Sequence, residues 1–219
     1  MEHKYQLLKT IYQHLGLSFG AWIRFFYYNF ICHQIESKSR IPVLCNKHTV
    51  FDFADNSRII VGDNLEAGKR HLSKSEAETQ IKVEEEGVLE VSSHFIMYAG
   101  SLIHILKGGH LKLGGGSFVN EYVRITCGGK IEIGEGTAIG PGVVIRSADG
   151  HQLKGSPSTK PIVIGSHVWI GEKSIILKGV NIGNGAVIGA GSIVTTDIPA
   201  HSLAVGVPAR VIKENISWY

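Results

Sequence analysis

From Ile164 onward the aliphatic residues of this chain fall on a fixed period. Ile164, Ile170, Ile176, Ile182, Ile188 and Val194 stand six apart, and four of them are followed by glycine, at Gly165, Gly171, Gly183 and Gly189. The position four after each of the first five is small or β-branched: Val168, Ser174, Val180, Ala186 and Ser192. The pattern runs earlier through Leu113 and Val119, and again through Ile133, Ile139 and Ile145, with Ser117, Val123, Thr137 and Val143 four positions on. A longer unit also repeats, because GVLEVS, GHLKLG and GKIEIG open new turns 22 and then 20 residues apart. An amphipathic helix spaces apolar residues by three and four, and a half-buried strand alternates every second residue, so a period of six fits neither. It fits a triangular solenoid. Three short strands make a coil of about eighteen residues, each aliphatic side chain stacks inward on its counterpart in the next coil, and glycine takes the backbone around the corner. Strands of successive coils then lie about 4.8 Å apart. The fold class is therefore all-β, a parallel β-helix, whose hand the period does not give because the usual crossover rule favours the right.

The pattern weakens toward the N-terminus. RIIVGDN around Val61 reads as the first coil, which places the solenoid at 57–213. The polar run AGKRHLSKSEAETQ breaks the period and reads as a solvated insertion at 67–80. Residues 1–56 read as an N-terminal helical segment, with Ser18 as an N-cap ahead of FGAWIRFFYYNFICHQIE. That aromatic helix either packs on the solenoid or a neighbouring subunit, or makes peripheral contact with a membrane surface. ENISWY, 214–219, is a short tail.

The segment VWIGEKSIILKGVNIGNGAVIGAGSIVTTDIPAHSLAVGVPARVIK resembles the hexapeptide-repeat acetyltransferases, close to those that acetylate galactosides and maltose. SADGHQL resembles the members that O-acetylate capsular or lipopolysaccharide sugars. The similarity is strong from Ile162 to Lys213 and looser back to about Val91. What the resemblance implies is a left-handed coil and a homotrimer with its sites in the clefts between prisms. Acetyl-CoA would be the donor and a sugar or polysaccharide hydroxyl the acceptor, with no metal expected.

Acetyl transfer from a thioester to an alcohol needs a base near neutrality, a donor for the developing oxyanion and a channel for the pantetheine arm. Histidine suits the first role, but with eleven histidines position must decide. His151 lies in RSADGHQLKGSPSTKP, where the period opens into a loop between Ile145 and Ile164, and the family's catalytic histidine occupies the corresponding loop. Asp149, two residues before it, either orients the imidazole, meets a sugar hydroxyl, or forms an ordinary Asp-Gly turn. By the same resemblance Asn120 would hydrogen-bond substrate, or else be a corner asparagine. Trp169 would wall the thioester channel, pack a trimer interface, or do both. Glu172 would offer its backbone N–H to the thioester carbonyl, although relatives often carry a smaller residue there. Ala190 and Thr195 would line the nucleotide end, and Arg210 and Lys213 would meet the coenzyme A phosphates. Thr196 stands where relatives commonly have lysine. Thr126, Cys127 and Gly128 occupy the stretch where some sugar-specific relatives have a carboxylate, so the acceptor is expected to differ from galactoside or maltose.

Charge and cysteine content narrow the alternatives. A net charge of +3, from 22 basic against 19 acidic side chains, with no basic tract, argues against nucleic acid as a partner. Cys32, Cys45 and Cys127 are odd in number and unpaired in spacing, which fits a reducing, cytoplasmic setting, either free or at the inner face of the membrane. Cys127 reads as a buried thiol rather than a nucleophile. The N-terminus lacks a secretory pattern, and the most apolar window, Leu17 to Ile35, is interrupted by Arg24 and other polar residues. The scaffold alone leaves other functions open. These are N-acetylation of an amino sugar or a xenobiotic, a non-catalytic platform, and a zinc anhydrase built on His94, His104 and His110.

Overall fold

The computed structural model describes Ile11 and residues 19–71, 75–152 and 154–219. Among these residues the strands form three parallel sheets of seven, nine and seven members, the three faces of a prism. Face 1 runs from Ile35–Ser37 to Asn181–Ile182 and face 3 from Thr49–Phe53 to Ile193–Val194. Face 2 runs from Val43–Cys45 to Leu203–Gly206 and closes on Ala209–Lys213, its one antiparallel strand.

The six-residue period is the core. Ile133, Ile164 and Ile182 are in register on face 1, Ile139, Ile170 and Ile188 on face 2, and Ile145, Ile176 and Val194 on face 3. None of the nine is more than 2% exposed. The small residues four positions on also have a physical reason. The Ser117 hydroxyl accepts from Thr137 N at 2.8 Å and donates to Gly134 O at 2.7 Å, and Thr137 repeats the arrangement with Val168 N and Gly165 O. Each hydroxyl thus ties two coils together and satisfies buried backbone groups that the corner leaves open. At the corner between faces 1 and 2 a Cβ on Gly134 would stand 2.5 Å from Gly165 C and Ser166 N, so only glycine lets the coils stack there.

The N-terminal expectation needs correction. The solenoid begins at Ile35, not near residue 57, because Ile35–Ser37 pairs with Ile59–Val61 and Val43–Cys45 with Leu65–Ala67. Its first coil was hidden because aromatic and cysteine side chains (Cys45, Phe51, Phe53) replace the aliphatic period. Apart from the helical Ile11, described helix is confined to Phe19–Phe26, continued by a π-helical turn at Tyr27–Ile31; Ser18 lies outside the described residues. This segment caps the solenoid. The Asn29 side chain donates to Val43 O and accepts from Val43 N, both at 2.9 Å, so one amide completes an edge strand as a neighbouring strand would. Tyr28 packs on Phe51 at a ring separation of 4.5 Å and closes the prism's open end. The insertion is shorter than expected, since its expected ends belong to the strands Leu65–Lys69, whose register shifts between Ala67 and Lys69, and Thr79–Val83. The tail is also anchored: Trp218 stacks on His167 at 4.1 Å and donates from Nε1 to His167 O.

Candidate active site

Asn120, Gly140, Gly171 and Gly189 follow the in-register residues Val119, Ile139, Ile170 and Ile188, so they form one column along the corner between faces 2 and 3. Three glycines leave that corner bare below the asparagine. A Cβ on Gly171 would stand 2.5 Å from Ala190 N, so the bareness is imposed by coil packing. The consequence is a cleft of about 520 Å³ lined by Phe118, Asn120, Trp169, Glu172, Ala190 and Leu203 together with the glycines. Four residues singled out in the sequence, Asn120, Trp169, Glu172 and Ala190, therefore meet.

Their local geometry suits acyl chemistry. The backbone N–H groups of Glu172 and Ala190 make no hydrogen bond to the described residues, whereas those of Gly171 and Gly189 are bonded to Ile188 O and Ala204 O. Two N–H donors in the cleft are thus available to an incoming oxygen. The Glu172 carboxylate pairs with Lys173 Nζ at 2.9 Å; this contact raises the lysine's pKa. Trp169 is 47% exposed, and the tail sets Trp218 6.0 Å from it, thickening the aromatic wall with a residue that nothing in the period announced. Arg210 and Lys213 lie on the strand that pairs with Leu203–Gly206, and Lys213 is opposite the cleft residue Leu203.

The other expected residues lie elsewhere on the same chain. Asp149 and His151 are on the loop that joins face 3 to face 1, and Thr195 follows Ile193–Val194 at the same corner. His151 is exposed and Asp149 does not orient it. Instead the Asp149 carboxylate accepts from Lys178 Nζ, which also donates to Pro157 O at 2.7 Å. With Asp149 N bonded to Ser158 O and an antiparallel bridge between Ala148 and Thr159, the aspartate pins the root of the loop. His71 was missed altogether. Its Nε2 lies 3.1 Å from Asn120 Oδ1, and only a break in the period marked the insertion that carries it.

Two alternative chemistries lose their geometry. His94, His104 and His110 stand at the corner between faces 1 and 2, on face 3 and on face 1, where they meet Asn64, Glu84 and Glu90. They do not converge on one point. The His104 hydrogen bond holds the Glu84 carboxyl below its usual range, as in an ordinary surface pair. Burial pushes the Cys127 thiol up to about 11 and the Cys45 thiol up to about 12, the reverse of what an activated nucleophile needs.

A three-faced solenoid with a glycine-floored corner cleft defines the class, and comparison with known proteins agrees. A family model described as the hexapeptide repeat of succinyl-transferase matches residues 161–196. The galactoside O-acetyltransferase of Escherichia coli K12 is 39% identical over 118 residues, 51% of this chain and 58% of that one. The chain thus spans less than two thirds of that relative's length. A solved hexapeptide-repeat-containing acetyltransferase from Vibrio cholerae is 32% identical, over 55% of this chain and 70% of that chain, with a TM-score of 0.50. A structure of it with acetyl coenzyme A is also known, at 32% identity, the same coverage and a TM-score of 0.47. A polysialic acid O-acetyltransferase shares the fold over 85% of this chain and 92% of its own, at 22% identity and a TM-score of 0.58. The chain belongs to the hexapeptide-repeat acetyltransferase family, and the prism is a left-handed β-helix.

Proposed function

We propose that this protein moves an acetyl group from acetyl-CoA to a hydroxyl of a sugar, in a capsular or other cell-surface polysaccharide, at sites shared between the copies of a homotrimer. The observation that carries the reading is the placement of the expected machinery at two corners of one prism. Asn120, Trp169, Glu172 and Ala190 line the cleft between faces 2 and 3, while His151 projects between faces 3 and 1. A head-to-tail ring of three copies joins two different patches at every interface, so the loop of one copy can complete the cleft of the next.

In that arrangement His151 takes the proton from the acceptor hydroxyl as its oxygen attacks the thioester carbonyl. The Glu172 N–H, joined by that of Ala190, stabilises the oxyanion. Collapse of the tetrahedral centre breaks the carbon–sulfur bond, and the imidazolium returns its proton to the departing thiolate. Trp169 walls the pantetheine arm, and Thr195 and the Arg210–Lys213 strand face the nucleotide end. The reading is tested by incubating the protein with acetyl-CoA and a panel of glycans and following thiol release and glycan mass together. Acetyl gain on a sugar supports it; acetyl gain only on amines, or none, contradicts it.

The cap supports a location at a membrane surface. Phe19, Ile23, Phe26, Tyr27, Phe30 and Ile31 recur at helical spacing and are 44–80% exposed, which leaves an apolar stripe beside the exposed cations Arg24 and Lys47, Arg24 donating to Lys47 O. Among the described residues no helix is long and apolar enough to cross a membrane. A stripe of this kind beside basic residues fits the surface of an anionic bilayer, and we place the enzyme in the reducing cytoplasm at the membrane's inner face. The protein is expected to sediment with phosphatidylglycerol-containing vesicles. The double variant Phe26→Ser, Phe30→Ser should stay in the supernatant, and equal sedimentation of both would remove the membrane assignment.

A further inference from the structure

The insertion at 70–78 breaks the second coil at the corner between faces 2 and 3, the corner that holds the cleft. Its histidine reaches down to the fourth coil. His71 stacks on Tyr98 of the third coil, with ring centroids 4.3 Å apart and planes 11° from parallel, and its Nε2 lies 3.1 Å from Asn120 Oδ1. Asn120 Oδ1 also lies 3.2 Å from Glu121 N. A backbone N–H can only donate, so the atom meeting it is the oxygen of the amide and not its nitrogen. The same oxygen then requires a donor from the ring, which puts the proton of neutral His71 on Nε2. Both acceptor sites of Oδ1 are used. Asn120 is left with its two Nδ2 hydrogens, which have no partner among the described residues, at the upper end of the cleft.

We infer that His71 is a positioning residue, holding Asn120 as a hydrogen-bond donor toward an oxygen of the acceptor. The inference rests on the acetyl-transfer reading and adds a selection rule to it. The acceptor must present an oxygen lone pair, from a hydroxyl, carbonyl or carboxylate, beside the hydroxyl that reacts. An acceptor with an ammonium group at that position sets donor against donor and is disfavoured. His71 is not the base, since the nitrogen that faces the cleft already carries its proton.

Three variants separate these roles. His71→Phe keeps the stack on Tyr98 and removes the donor; it should raise the acceptor KM roughly tenfold, the scale of one hydrogen bond, with the acetyl-CoA KM unchanged. His71→Gln, which can still donate, should recover most of that loss, and His71→Ala should not. The acid limb of the pH–rate profile should be the same in all of them. An unchanged acceptor KM in His71→Phe overturns the inference, and so does loss of the acid limb, which would make His71 the base. A second readout needs no activity: in a long-range ¹H–¹⁵N spectrum of the imidazoles, assigned with His71→Gln, neutral His71 should carry its proton on Nε2. The Nδ1–H tautomer refutes the network. The expected tautomer in a protein that acetylates no sugar refutes the functional reading instead.

Discussion

Replacing His151 with alanine should lower kcat for acetyl transfer by about 10²–10⁴-fold, the range that a positioned general base supplies. The loss should sit in kcat, because the base touches the acceptor hydroxyl and not the arm or phosphates of the donor, so the acetyl-CoA KM should hardly move. Stability should not change. The side chain is exposed, and the loop is held by other bonds, from Asp149 to Lys178 and from Asp149 N to Ser158 O. Asp149→Asn separates anchoring of the loop from the chemistry, since it removes the carboxylate that Lys178 grips and keeps the imidazole. It should cost less than the histidine change. Steady-state kinetics with circular dichroism on both variants checks this; equal losses, or an alanine variant within a few-fold of the parent, would count against a base at this position.

The second large effect is on the fold. Ile170 is fully buried and stacks between Ile139 and Ile188, with Trp169 before it and Gly171 after it in the cleft. Truncation to alanine removes three carbons from a column that cannot collapse, because coils on both sides are fixed by strand pairing. A cost of about 2–5 kcal/mol is expected. A solenoid passes such a defect to its nearest neighbours, so the cleft should loosen along with the core. Urea unfolding measures the first effect and acetyl-CoA affinity the second. A midpoint that does not move would mean that the column is not the core.

The central and C-terminal coils were legible because one physical rule, an aliphatic side chain stacking on its counterpart in the next coil, repeats at every sixth residue. The first coil was not. There Tyr28, Cys45, Phe51 and Phe53 close the end of the prism, and an end needs shape rather than repetition. Asn29 makes the same point, since a side chain that imitates a strand has no periodic signature. Within the site, Asn120, Trp169, Glu172 and Ala190 were singled out by resemblance to the family, whose residues carry over in register because the repeat fixes their places. His71 and Trp218 belong to an insertion and a tail, and only folding brings them to the cleft. Asp149 was placed correctly in the loop but its partner, Lys178, lies 29 residues away.

The central claim is that one copy supplies the base and another the cleft. Neither His151→Ala nor Asn120→Ala protein alone should be active. Co-expressed in equal amounts with different tags and purified as mixed trimers, they regenerate an intact site wherever a His151 loop meets an Asn120 cleft, which in a head-to-tail ring is one interface of the three in every mixed trimer. The account predicts recovery of about a third of the parent kcat. Activity in the mixed trimers no higher than in either variant alone would contradict it.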